Sequence, residues 1–367
     1  MRRELRSVVI AGLAGLLLPA STVMAAATWF TVDDLVLGRT AFAAATLSDG
    51  TVLVAGGSPG SVVGATAERY DPGADFWSQT GSLSIGRSGH TLSALSDGRA
   101  LAAGGNSATG LQRSAEAFNP SSGSWTTVAP MSTARANHSA TVLTNGRVLI
   151  VGGVANKGGA TNEVEIYDAA TNSWSRADSL HNPRYNHSAT LLADGRVLVA
   201  GGFTPGKFHT PMKTAEVYDV ASDRWSVVGT MEVERAVHAA ALLPDGRVLV
   251  AGGFTQPPNV LTVTATAELF DPATERWTPT GSMTVARRAI EGALLSDGTV
   301  LVAGGFDSAN SLLATAEVFN PAAGTWSPTA NMSLARAPVL ARLNDGRVLA
   351  IASIGRVTTT YVEAYQP

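Results

Sequence analysis

The chain has 367 residues, of which 45% are hydrophobic and 15% charged, with 38 Gly, 17 Pro and no Cys. A chain this apolar can bury enough surface to fold, so disorder is excluded, and without cysteine there is no disulfide framework, thiolate metal site or Cys nucleophile. The formal charge is −3 and the basic residues are scattered, so no phosphate-tracking stripe forms and nucleic acid is not an expected partner.

Arg2, Arg3 and Arg6 precede an apolar run from Val8 to Leu18, and small residues follow. Val23 and Ala25 stand three and one positions before a cut after Ala25. This order of basic, apolar and small-residue regions predicts a secretory signal peptide over residues 1–25. About 11 apolar residues are too few for a membrane span, which needs roughly 20. Removing three Arg and one Glu leaves a mature charge of about −5. The protein is expected to be exported, to the periplasm or the cell exterior, with no membrane span in the mature chain.

One repeat fills the rest, residues 26–367. Every Trp lies on one ladder: Trp29, Trp77, Trp125, Trp174, Trp225, Trp277 and Trp326. Ten residues after each stands an Arg, from Arg39 and Arg87 to Arg336. Next comes an Asp-Gly or Asn-Gly pair such as Asp49-Gly50 or Asn145-Gly146. Gly-Gly stands seven residues beyond each Asp or Asn, except in the seventh unit, which has Ala352-Ser353. A Glu then leads an aromatic by two, as in Glu68/Tyr70 and Glu216/Tyr218. The period is 48 to 52 residues.

Each unit reads as four antiparallel strands. His187–Leu192 runs into Asp194-Gly195 and on to Arg196–Gly202, two β-rich runs joined by a tight hairpin whose turn residues accept positive φ. Ala215–Tyr218 is a third strand and the Trp segment a fourth. No helix-period segment interrupts the pattern. Units of this kind predict an all-β, seven-bladed propeller. Trp29 begins the mature chain as a fourth strand and Glu363–Tyr365 ends it as a third, so pairing the two closes the ring and removes two exposed edges.

The succession Gly-Gly, Tyr/Phe, Trp at a period near 50 resembles the kelch repeat over essentially the whole mature chain. The resemblance implies a propeller related to the kelch domain of galactose oxidase. That family builds a copper-radical cofactor from a Tyr crosslinked to Cys. This chain has no Cys, so that activity is not expected, and neither a cofactor nor a metal is assigned.

Features present in every unit are read as scaffold. Seven Arg and seven Glu predict a repeated buried Arg–Glu contact, because neither is buried without a partner. The Trp ladder predicts packing between blades, and the glycine pairs predict close approach or positive φ. His90, His138, His187 and His238, each three residues after its Arg, are read as packing; equivalent positions on neighbouring blades stand too far apart to share a metal ion.

Function is sought where the repeat breaks. The spacing from Gly-Gly, or Ala352-Ser353 in the seventh unit, to Glu runs 12, 12, 13, 15, 16, 13 and 11 residues, while Trp to Arg is always 10. Nearly all length variation is therefore confined to the loop between the second and third strands, on the face shared with the connections between blades; the one other change is Arg to turn, 9 residues in the last unit and 10 elsewhere. All three lysines, Lys157, Lys207 and Lys213, fall in these loops. The candidate ligand-binding residues are Asn137, Tyr185, Asn186, Lys207, His209, Arg288 and Glu291, a polar and aromatic rim around the channel. A monomeric recognition module for a glycan or protein is expected. The alternative is a carbohydrate-active enzyme like the kelch-type sialic-acid mutarotases, with Arg288 and Glu291 supplying charge stabilisation and proton transfer.

Overall fold

The computed structural model describes residues 27–58, 63–155, 159–206, 209–256, 260–351 and 359–367. The predicted signal segment and Lys207 lie outside them, as do Lys157 and Ala352-Ser353. Seven four-stranded antiparallel sheets form the fold, and no helix occurs among the described residues. Blade 1 comprises Ala43–Thr46, Val52–Ala55, Ala67–Asp71 and Phe76–Thr80. Blades 2 to 6 repeat it over 91–128, 139–177, 188–227, 239–280 and 293–328. Blade 7 takes Val339–Arg342, Val348–Ile351 and Val362–Gln366 from the end of the chain and Thr28–Thr31 from its start. The register pairs Trp29 with Tyr365, as the two unfinished repeats require.

First strands of successive blades neighbour one another in a circle that ends with Val339–Arg342 beside Ala43–Thr46. They surround the central channel. The second strands, such as Val52–Ala55 and Val248–Ala251, are buried at every residue. They are flanked within the sheet and covered on both faces by adjacent blades, which is why four apolar residues stand in an unbroken run. The core is accordingly a series of layers between blades. Trp77 and Tyr70 of blade 1, for example, pack with Leu349, Ile351 and Ala364 of blade 7.

The Trp ladder serves two contacts. Each indole lies 5.0–5.2 Å from the Tyr or Phe of the neighbouring third strand. Five of the indoles also donate to a carbonyl after the preceding blade, such as Trp125 to Gly81 at 2.8 Å and Trp29 to Ala330 at 2.8 Å.

The Arg–Glu contact recurs in all seven blades. Arg39 pairs with Glu68, and the other six pairs close at 2.5 to 2.9 Å, all fully buried. The Glu also accepts backbone N–H groups from the segment leading to its Arg, as Glu116 does from Ser84 and Ile85.

The Asp-Gly hairpin differs in detail from the sequence expectation. Only the glycine has positive φ, as at Gly50 (85°). Leu47 N–H donates to the Thr51 carbonyl at 2.8 Å and Gly50 N–H to the Leu47 carbonyl at 3.0 Å. The Asp49 carboxylate accepts the Thr51 N–H at 3.0 Å. The Asp is thus selected for its acceptor rather than for a left-handed backbone.

Candidate functional site

Variable loops and inter-blade connections share one face. In the first six units the residue after the repeat Arg pairs with the residue after its own Gly-Gly, as Thr40 does with Ser58, Tyr185 with Phe203, and Arg288 with Phe306. The second glycine of each pair donates to the Arg carbonyl of the next blade, as Gly57 does to Arg87 at 2.8 Å. A Cβ on Gly104 would come within 2.6 Å of the Arg135 carbonyl and 2.8 Å of the His138 ring, so this column has no room for a side chain.

Packing among the glycines explains the histidines. His138 Nε2 shares a hydrogen bond with Thr91 Oγ1 at 3.1 Å, His187 with Ser139 at 2.8 Å and His238 with Ser188 at 2.9 Å. Each hydroxyl comes from the preceding blade. Burial pushes His90 and His187 down to about 3 and lowers His138 and His238 likewise. For His90 the equivalent position in the hydroxyl column is Ala43, and neither of its ring nitrogens has a hydrogen-bond partner. Among the described residues, no three His, Cys, Asp or Glu side chains converge on a point that could hold a metal ion.

The two residues following each repeat Arg form the channel mouth. The second takes a left-handed backbone in six units: Ala41, Gly89, Asn137, Asn186, Val237 and Ala289, with φ of 51–59°. Their peptides are linked around the mouth. Gly89 N–H donates to Ala41 O, Asn137 to Gly89, Asn186 to Asn137, Val237 to Asn186 and Ala289 to Val237, at 2.8 to 3.2 Å. Pro338 holds the seventh position. It has no N–H, so the chain of bonds stops at the Ala289 carbonyl.

A cavity of about 450 Å³ opens here. Asn186, His187, His238, Phe306, Pro338 and Glu291 help to line it. The first strand of blade 6 is shortened to Ala293–Leu294, which leaves Glu291 and Gly292 ahead of it. Glu291 Oε2 accepts the Leu340 N–H of blade 7 at 2.7 Å. The carboxyl meets water in the lumen but is walled by strands, and this burial raises it to about 7 against the opposing backbone hydrogen bond.

The structure thus divides the candidate set. Asn186 and Glu291 line the cavity, with Asn137 next to Asn186 in the peptide circle. Tyr185, His209 and Arg288 stand on the outer rim. The Tyr185 hydroxyl shares a hydrogen bond with His209 Nδ1. Arg288 lies between two rings, 4.5 Å from the Phe254 centroid and 4.7 Å from that of Phe306, and donates to Asn310 Oδ1. Phe203 completes the row, 5.5 Å from Tyr185 and 5.7 Å from Phe254. Arg288 and Glu291 do not line the same cavity. Sequence reasoning missed Phe306 and Pro338. The signal for Phe306 was an aromatic after Gly-Gly in three successive units, and for Pro338 a proline among Ala, Gly, Asn and Val at its repeat position.

These features define a kelch-type β-propeller, and comparisons with known proteins agree. Residues 53–312 match the Attractin/LZTR1 beta-propeller family and residues 292–333 the Kelch motif. The chain belongs to the Attractin/LZTR1 β-propeller family. A 68-residue segment is 32% identical to tRNA wybutosine-synthesizing protein 4 of Saccharomyces cerevisiae, covering 18% of this chain and 10% of that protein. Among solved structures, a novel fungal alcohol oxidase of the AA5 family in complex with copper aligns over 94% of this chain and 77% of its own, with TM-score 0.76 and 16% identity. The structure of YjhT aligns over 81% of this chain and 99% of its own, with TM-score 0.64 and 16% identity. Identities this low show a common fold.

Proposed function

We propose that the protein is an exported recognition module that captures a protein partner on its variable-loop face. The observation that carries this reading is the blade 5 loop. It forms a small hairpin, Phe254–Thr255 with Thr262–Val263, and just before its second strand Val260 is 65% and Leu261 43% exposed. Exposed apolar side chains on a structured loop favour a partner that can cover them. Phe254 anchors this hairpin in the row it forms with Phe203, Arg288 and Phe306. A glycan is a weaker fit, because stacking on sugar needs an open ring face and both Tyr185 and Phe203 are buried. The mutarotase-like reading rests on Glu291 alone, since Arg288 is engaged on the rim.

The test compares crosslinked capture from the cell envelope by the wild-type chain and by Val260→Ser/Leu261→Ser, with a glycan array in parallel. The expected result is one discrete protein captured by the wild type and lost with the variant, and no sugar signal. Equal capture by both, or saturable glycan binding, overturns it. Sequencing the N terminus of the purified protein tests export, with Ala26 expected as the first residue.

A further inference from the structure

We propose that the channel mouth at the junction of blades 6 and 7 binds a primary ammonium group, held by the Glu291 carboxylate and the Ala289 carbonyl. The site is separate from the loop tip and does not depend on the protein-capture reading.

Three observations converge on it. First, the junction offers acceptors. At the five preceding steps of the peptide circle, the carbonyl is taken by the next blade's N–H. Pro338 cannot supply one, so the Ala289 carbonyl, on a residue lining the cavity, keeps its acceptor capacity. Second, Glu291 has no countercharge there. Neither Lys nor Arg lines the cavity, and the two lining histidines, His187 and His238, are held neutral by burial. The Glu291 carboxyl is open to the lumen, so an incoming cation can reach it. Third, Oε2 is committed to Leu340 N–H, while Oε1 has no hydrogen-bond partner among the described residues.

This arrangement selects between cations. A guanidinium is recognised best by two parallel bonds to both carboxylate oxygens, and one oxygen is occupied. A metal ion such as Ca²⁺ takes six or more oxygens, more than the two acceptors identified. An ammonium is compact and carries three rotatable donors. Its stem would lie along Ile290, Phe306, Pro338 and Val339, which give that side of the cavity an apolar surface.

The ammonium can come from a lysine side chain or from an amino sugar, and the experiment separates them. The full chain is titrated calorimetrically at pH 8 with Nα-acetyl-lysine methylamide and with glucosamine, and with N-acetylglucosamine as the uncharged control. Saturable binding is expected for at least one ammonium probe and none for the control. Binding of the lysine probe alone identifies a peptide source, and of glucosamine alone a sugar source. Glu291→Gln should weaken binding about tenfold or more. Pro338→Ala, which restores an N–H able to occupy the Ala289 carbonyl, should weaken it several-fold. Thermal unfolding of both variants verifies folding. The proposal is overturned if neither ammonium probe saturates, if the control binds equally, or if Glu291→Gln binds as the wild type does. An unchanged affinity in Pro338→Ala overturns the part assigned to Ala289.

Discussion

The Arg87 carbonyl accepts the Gly57 N–H from the preceding blade at 2.8 Å. The guanidinium of the same residue holds Glu116 of its own blade at 2.7 Å. One residue thus ties a blade internally and to its neighbour, and the same tie recurs at each junction from blades 1–2 to blades 6–7.

Arg87→Ala strands a buried carboxylate and should cost about 3–5 kcal/mol in urea unfolding. The double variant Arg87→Leu/Glu116→Leu should recover only part of this. Glu116 also accepts the Ser84 and Ile85 N–H groups at 2.7 and 3.4 Å, which leucine leaves without an acceptor. A loss below about 1 kcal/mol for Arg87→Ala would contradict the role given to the pair.

His90 is the histidine whose hydroxyl partner is missing, because Ala43 stands where Ser139 and Ser188 serve later blades. Ala43→Ser should supply it and raise stability by about 1 kcal/mol. The same substitution in a His90→Ile background should bring no gain.

The buried histidines make the fold acid-sensitive. His90 falls from 6.5 to about 3 on folding, so the unfolded chain binds the proton first. The stability it supports is present above pH 6.5 and drains away as the pH falls towards 3. His90→Ile, with the side chain that blade 6 carries at Ile290, should flatten the slope of unfolding free energy by about 1.4 kcal/mol per pH unit near pH 5. An unchanged slope would show that His90 titrates normally.

Glu291 acts in the opposite direction. Its carboxyl rises from 4.5 to about 7, so its contribution is intact below pH 4.5 and lost as the pH climbs through 7. Glu291→Gln should therefore melt higher than the wild type at pH 8, by about 2 °C, and match it at pH 4. Parallel melting curves at both pH values would remove the case for a raised carboxyl.

The scaffold was legible because each structural role recurs in one column. Arg87 and Glu116 could be paired from seven copies of the same spacing, and Trp29 with Tyr365 from two repeats that each lacked what the other held. The site was less legible because its residues belong to different columns. Arg288 and Glu291 are three positions apart, but Ala289, with φ of 54°, turns the chain between them. One side chain reaches the rim and the other the lumen. The hydroxyl partners of the histidines were in view as Thr91, Ser139 and Ser188. Their meaning lay in a contact with the following blade, which spacing within one repeat does not reveal.

Pro338 belongs to the blade assembled from both ends of the chain. A polypeptide whose leading segment has yet to dock holds its last three strands without their outer neighbour, so the blade behind this wall of the ammonium pocket is incomplete until the two ends pair. Occupancy of the pocket is then expected to be linked to sealing of the torus: a ligand settled beside Glu291 should also resist the peeling away of Thr28–Thr31, about 260 residues distant in sequence.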